Sequence, residues 1–487
     1  MKNLFKHFKI IVFAAVITFT IAACGDEPDP YIPPQTEPGA NANNPIDRVE
    51  STNLGTMTSP ASGWRQLLNS INSAGKYINL DLSACTMTGT SFNPDSSVET
   101  GKKYIVSIIL PDAAASIEAG TYSNPVFKNF TNLKSVNGAN IITIGDYCFH
   151  YSYDATHPRN LQSADFPKAA TIGTSAFSNT YLDNMNFPLA TTIGDSAFSS
   201  CSRLKNASFP AVQTIGENAF SSCSDLESIS FPAAAQLGFS DGSYSNPFTS
   251  CKKVSFTLSG SGSLSVIENG KALVRNNTIL LAYPSASGTI TMNNITALDG
   301  KVFKSCYDLD GVNFPQVTGI GSETFDYCYN IQDASFPLAT SIGSEAFSNC
   351  SRLQSASFPL VTHIGSSAFF ACSALESVNI PTVTNIGERA FSSTEAAALS
   401  ITMGSTAPTL GNRIFGFDFD TTTKTVTVKV PAGASGYTPF TGTTVTVSGT
   451  NTTANWANGF RGGGWNGSSF AQYSQPNQNI TVIIQQQ

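Results

Sequence analysis

The chain has 487 residues, 41% of them hydrophobic and only 12% charged, with a net charge of −7. That length and apolar content can build several domains or one long array, whereas the charge excludes the basic face a nucleic-acid binder uses to displace counterions. Four histidines and three tryptophans leave few groups for catalysis or stacking.

Residues 1–23 read as a targeting segment. Lys2, Lys6 and Lys9 precede an apolar stretch from Ile10 to Ile21, and the small residues Ala22 and Ala23 lead to Cys24. The apolar run is too short for an ordinary spanning helix and has the layout of a signal peptide. Its end resembles a bacterial lipobox, which implies lipidation of Cys24 and membrane attachment through acyl chains alone. Residues 24–48 contain Asp26, Glu27, Asp29 and several prolines. That composition predicts an extended, solvated tether. Acidic residues directly after the lipid cysteine resemble the export signal of Bacteroidetes-type surface lipoproteins, which implies display on the outer membrane facing outward.

Residues 49–134 lack a clear repeat and are expected to form an N-terminal cap. Trp64 to Ile71 has the spacing of a short amphipathic helix. Tyr77–Leu82 and Tyr104–Leu110 read as strands, and Phe127 to Val136 is a degenerate version of the repeat that begins at about 135.

Internal repetition dominates residues 135–400. An Ile-Gly pair recurs at Ile144, Ile172, Ile193, Ile215, Ile320, Ile342, Ile364 and Ile386, with most steps being 22 residues. Leu237-Gly238 and Leu298-Asp299 fill the same slot. The unit is I-G-x-x-A-F-x-x-C-x-x-L-x-x-[AIVM]-x-F-P. Its end has period-two spacing, so pairs such as Ala207 and Phe209 share one side of a short strand. Proline then stops the ladder and turns the chain. Ile-Gly predicts a corner at which glycine supplies permissive dihedrals, and Ala-Phe a short helical or 3₁₀ turn. Phe177, Phe198, Phe220, Phe303, Phe325, Phe347, Phe369 and Phe391 would stack coil on coil. One unit cannot bury its apolar side alone, but stacked neighbours can. About ten coils at about 4.8 Å each would give a surface roughly 50 Å long.

This motif resembles the BspA-like leucine-rich repeats of bacterial surface proteins. The resemblance implies an α/β-type, right-handed repeat solenoid with short parallel strands and non-repeat terminal caps. The array is interrupted at 239–297. Within that span Val266–Val274 and Leu280–Pro284 look like the hairpin insert such proteins carry, and Asn269-Gly270 between apolar strands signals a type I′ turn. Family members are implicated in adhesion and in binding host or matrix proteins. Residues 401–487 form a C-terminal β-rich cap and tail: Thr425–Pro431 and Thr444–Val447 alternate valine with polar residues, and from Asn451 the chain is low in complexity.

Candidate chemistry is sparse. Cys201, Cys223, Cys306, Cys328, Cys350 and Cys372 share one slot, so their thiols should form a ladder. Coils about 5 Å apart are within disulfide reach. However, parallel side-chain vectors suit neither a disulfide nor tetrahedral zinc, which needs convergent ligands. A reduced packing ladder is expected, and Thr180 and Thr394 in the same slot support it. Cys85 has no assigned role. His150 and His157, near Cys148, read as surface histidines of a loop insertion rather than ligands, because no second spaced pair accompanies them; His363 sits at a variable corner. No P-loop, G-x-S-x-G or H-E-x-x-H motif occurs, so no catalytic residue, cofactor or metal is expected.

The strand positions facing solvent are Asn206 and Ser208, Ser228 and Ser230, Gly311 and Asn313, Asp333 and Ser335, Ser355 and Ser357, and Ser377 and Asn379. They lack the Trp, Tyr and Arg that concentrate binding energy. Strong binding is therefore expected at the 144–160 insertion, the 239–297 interruption or the caps. The favoured function is non-catalytic binding of a protein partner, of host, matrix or bacterial-surface origin. The alternatives are a structural envelope spacer and a surface glycan-binding lipoprotein for nutrient capture. The glycan reading predicts aromatic platforms at Tyr151, Tyr153, Trp456 or Trp465.

Overall fold

The computed structural model describes residues 47–487 except 51–52, 152–159, 241–242, 245, 395–397, 412–413, 415–423, 433, 436–443, 448–479 and 487. The described residues fall into two compact units, one ending at Gly262 and one starting at Ser263. Both are repeat solenoids built from the same coil. The coil has two short strands, not one. The A-x-F segment gives the first, for example Asn206–Ser208. The second is a two-residue strand at the Ile of Ile-Gly, for example Thr214–Ile215. The Ala-Phe segment between them is a run of hydrogen-bonded turns rather than a helix.

In the first unit the longer strands Asp47–Glu50, Ile78–Asp81, Ile105–Ile109, Ser135–Asn137, Ser163–Asp165 and Asn184–Asn186 form one parallel ladder. Asn206–Ser208, Ser228–Pro232 and Ser255–Ser259 form another. The short strands run parallel from Ser91–Phe92 to Gln236–Leu237. Rungs therefore lie inside residues 49–134, ahead of the recognisable repeat. That end also carries the helix Gly63–Ala74. Ser62 caps it by accepting from the Arg65 N–H, Gly75 ends it in the left-handed conformation, and Trp64, Leu67, Leu68 and Ile71 are its buried face. Trp64 meets Phe92 edge-on at 6.1 Å.

In the second unit the long ladder runs through Gly288–Thr291, Leu309–Asn313, Asp333–Ser335, Ser355–Ser357, Ser377–Ile380, Ala398–Met403, Lys424–Val430 and Ile480–Gln486, with Thr444–Val447 antiparallel to the last. A strand thus emerges from the low-complexity end of the chain. The short ladder begins with antiparallel strands Leu264–Ile267, Ala272–Arg275 and Ile279–Ala282, then continues parallel to Thr409–Leu410. The hairpin at Asn269-Gly270 is therefore present, but not as a type I′ turn. Ile267 pairs with Ala272, so four residues bridge the strands, and Glu268, Asn269 and Gly270 are left-handed in succession.

The core is a zip of aromatic files. Phe177, Phe198 and Phe220 stack at 5.4 and 5.3 Å, nearly parallel. Phe303, Phe325, Phe347, Phe369 and Phe391 do the same at 5.0 to 5.3 Å. The strand-end phenylalanines interleave with them, as Phe358 does with Phe347 and Phe369. The first file extends back through Phe149, Phe127 and Phe92 and forward to Phe248. Coil geometry therefore persists into the span expected as an interruption. Phe248 occupies the phenylalanine slot, and Ser255–Ser259 pairs with Ser228–Pro232.

One corner follows the sequence expectation and the other works differently. The strand end closes by a turn with proline second: the Val212 N–H donates to the Phe209 carbonyl across Pro210, and Val361 to Phe358 across Pro359. The Ile-Gly glycine does not serve its dihedrals. Among the described Ile-Gly and Leu-Gly pairs only Gly238 has a positive φ. The reason for glycine is instead close approach, since a Cβ at Gly343 would lie 2.6 Å from the Ser322 backbone nitrogen of the coil before it. The left-handed positions fall on non-glycines, two per coil, such as Ser196 and Ser200 or Glu345 and Asn349.

Candidate binding surface

The cysteine slot lies inside. Cys201, Cys223, Cys306, Cys328, Cys350 and Cys372 are all buried. The thiol of Cys223 donates to the Phe198 carbonyl at 3.1 Å, that of Cys350 to Phe325 at 3.2 Å and that of Cys372 to Phe347 at 3.1 Å. Each thus satisfies a turn carbonyl of the preceding coil. Cys251 does the same toward Phe220 at 2.9 Å, a member of the file that the sequence reading leaves out. Thr180 and Thr394 donate to the phenylalanine carbonyl of their own coil, at 2.8 and 3.0 Å. Burial pushes the Cys201 thiol up to about 11 and the Cys372 thiol up to about 12, so these are protonated, unreactive packing groups.

The outward strand face is polar and internally satisfied. Ser228 donates to Asn206 Oδ1 at 2.7 Å, Ser230 to Ser208 at 2.9 Å, and Asn379 to Ser357 at 3.2 Å. Gly311 is buried rather than solvent-facing, with the Thr289 side chain beside it. Beside the second strand, exposed Thr340, Thr362 and Thr384 each donate to the carbonyl of the threonine one coil earlier, at 3.0 to 3.2 Å. Rows of this kind give a flat, neutral surface with few free donors.

The turn arm of the second unit breaks that pattern. The positions flanking the cysteine are small in most coils, as at Ser200 and Ser202 or Ser222 and Ser224. In two adjacent coils they are Tyr307, Tyr327 and Tyr329, exposed by 38%, 40% and 41%. Tyr307 and Tyr329 stack at 5.3 Å, and Tyr327 meets Tyr329 edge-on at 5.9 Å. The ammonium of Lys304 lies over Tyr327, 5.9 Å from the ring centre. It bonds to Glu323 and, at 2.8 Å, to the buried Asp326 carboxylate, while Lys301 approaches Glu323 at 3.7 Å. Burial opposes the Lys304 charge, but its bonds to Asp326 and Glu323 outweigh that and raise its pKa. Glu323, Asp326 and Glu345 place carboxylate oxygens within 4.8 Å of one another. Burial, then the charges on Glu323 and Asp326, push the Glu345 carboxyl up. The cation already seated among these groups is Lys304. Beyond the tyrosines, Arg352 donates to Asn330 Oδ1 at 3.3 Å.

The aromatic platforms expected from sequence involve other residues. Tyr151 is half-buried, its N–H bonded to the Ser178 carbonyl. Tyr153, Trp456 and Trp465, together with Cys24 and His157, lie outside the described residues. His150 is buried rather than at the surface, packed against the rings of Tyr122 and Tyr147 at 4.8 and 5.7 Å, and His363 is exposed in a two-residue strand. The tyrosine triad was within reach of sequence reasoning, because superposing the 22-residue units shows Tyr where its neighbours carry Ser.

No curated protein matches the chain. Among solved structures it is similar to a leucine-rich repeat protein from Bacteroides ovatus at 22% identity, covering 72% of this chain and 84% of that one with a TM-score of 0.46. It is also similar to the pneumococcal vaccine antigen PcpA, at 19% identity, 72% and 80% coverage and a TM-score of 0.48. A leucine rich cell surface protein from Faecalibacterium prausnitzii shows 21% identity, 78% and 95% coverage and a TM-score of 0.42. A model described as "BspA type Leucine rich repeat region" matches in six copies, over residues 99–159, 155–269 and 285–418, more than half of the chain. Its matches include Phe248 and its coil, as the stacked files do. By its repeat and its coil geometry, the chain belongs to the BspA type leucine-rich repeat family.

Proposed function

We propose that this chain is a non-catalytic surface lipoprotein that binds a protein partner in adhesion, held to the outer membrane by acyl chains on Cys24. The supporting observation is the coil itself. Most of the described chain is spent on stacking similar units, which in each of the two compact units yields a continuous ladder of strands and turns and buries the thiols. A protein partner can use such a surface, whereas a small substrate needs a concave, convergent site. The signal-like residues 1–23 and the acidic, proline-rich segment 24–48 support an anchored location. No described helix is long and apolar enough to cross a membrane.

Two measurements test this reading. Cys24→Ala should move the chain from the membrane to the soluble fraction on cell lysis; unchanged membrane retention would remove the lipid anchor. The chain expressed without residues 1–25 and immobilised should retain at least one purified matrix or surface protein with micromolar or tighter affinity. Failure across a panel of such proteins would sink the adhesive role.

A further inference from the structure

We infer that Tyr307, Tyr327 and Tyr329, together with the acidic rim at Glu345, form a recognition patch for a protein segment that presents arginine or lysine side chains. This deepens the protein-binding reading proposed above and rests on it. Four observations carry the inference.

The first is placement. The three rings occupy slots that hold serine in several other coils, such as Ser200, Ser202, Ser222, Ser224, Ser351 and Ser373, and they occur in consecutive coils, where two of them stack, whereas Tyr181 holds the slot singly in the first unit. The fold does not need them, because the same slots function with serine elsewhere. The second is exposure. About two-fifths of each tyrosine remains in water, and tyrosine is the residue type that concentrates binding energy where small polar side chains cannot. The third is rigidity. Tyr307 and Tyr329 brace each other, Lys304 sits against Tyr327, and Lys304 is itself held by Asp326 and Glu323. Ordered side chains lose less entropy on binding.

The fourth is charge, and it selects the occupant. Among the described residues, the ion pairs of Glu323 and Asp326 are to Lys301 and Lys304, so the three clustered carboxylates of Glu323, Asp326 and Glu345 outnumber those two ammonium groups by one. Glu345 is the exposed member. An incoming guanidinium or ammonium can balance that charge and lie against a tyrosine, gaining from both contacts. A neutral sugar would gain nothing from the charge, and each ring already has one side covered by a neighbouring ring or by Lys304. The patch lies outside the 144–160 insertion, the 239–297 span and the terminal caps.

The test uses the full chain and three probes: a fluorescent peptide of arginine and leucine spaced by glycine, a matched glutamate and leucine peptide, and maltoheptaose. The arginine peptide should bind at least about tenfold more tightly than the glutamate peptide, with affinity falling as salt rises. Tyr327→Ala combined with Tyr329→Ala should weaken it about tenfold. The corresponding Phe substitutions should stay within about threefold, because the rings remain. Glu345→Gln should cost about threefold and flatten the salt dependence. Circular dichroism should show the same melting temperature for all variants, since the altered side chains are exposed. Equal binding of the two peptides, or indifference to loss of the tyrosines, overturns the patch. Tyrosine-dependent binding of maltoheptaose without the arginine peptide overturns its assignment to a protein. The matrix-protein panel separates the two readings: retention of a protein equally by wild type and the tyrosine variant sinks the patch alone, and retention of nothing sinks the wider function.

Discussion

At Gly343 the methyl of an alanine would meet the Ser322 backbone nitrogen at 2.6 Å and the Gly321 carbonyl carbon at 2.7 Å. Backbone cannot step aside as a long side chain can, so the coils must separate or shift register. Gly343→Ala is expected to cost about 1–3 kcal/mol, the usual range for overpacking, read as a lower denaturation midpoint. The φ at this position is not left-handed, so alanine meets no dihedral penalty there and any loss reports the close approach of the backbones. A neutral result would remove close approach as the reason for glycine at this corner.

Between the helix Gly63–Ala74 and the first long strands lies a buried cation. Lys102 is fully buried, donates to the Asp95 carbonyl at 2.5 Å and lies 5.2 Å from the centre of the Phe130 ring. Burial, only partly offset by Asp95, lowers its pKa to about 7. An unfolded chain holds that proton up to the ordinary lysine value of 10.5. From pH 7 upward the unfolded state therefore binds more protons, and stability of the first unit rises with pH by up to about 1.4 kcal/mol per unit. Below pH 7 both states are protonated and the cost is constant. The buried thiols act in the opposite sense. Desolvation raises Cys328 and Cys350 well above 9.0 and Cys372 to about 12, so above pH 9 the unfolded state loses protons that the native state keeps, and stability falls. Amide exchange between pH 7 and 8.5 should thus show protection growing with pH around Ile105 and Phe130 but flat around Phe347. Lys102→Met should abolish the slope; a slope that survives would place its origin elsewhere.

Across the whole chain, the neutral strand face and the tyrosine arm make opposite predictions about binding. Ser208, Ser230, Ser335 and Ser357 are spread over both units. Ser208 and Ser230 are hydrogen-bonded to each other, so each row has little left to offer a partner. Replacing all four by alanine is expected to change affinity for a retained matrix protein by less than about threefold, because near-neutral contacts dominate such surfaces. A loss above about tenfold would shift the binding surface from the turn arm to the sheet.

The repeat, its 22-residue step and its burial pattern were determined by sequence alone, because a unit that cannot bury its own apolar side has to stack, and the spacing of Ile, Phe, Cys, Leu and Phe leaves one way to do so. The same logic made the internal thiols and the polar strand face legible. The helix at Trp64 was readable from its apolar spacing. Other features were decided only in three dimensions. The second ladder at Thr-Ile was hidden, because two residues are too few to show alternation. The reason for the corner glycine depends on a distance between backbones 22 residues apart. The rungs within residues 49–134 carry too little of the motif to be counted before they are seen beside their neighbours. The tyrosine patch and its acidic rim combine side chains from several coils, and neither the ring stacking nor the charge balance exists until those coils lie side by side.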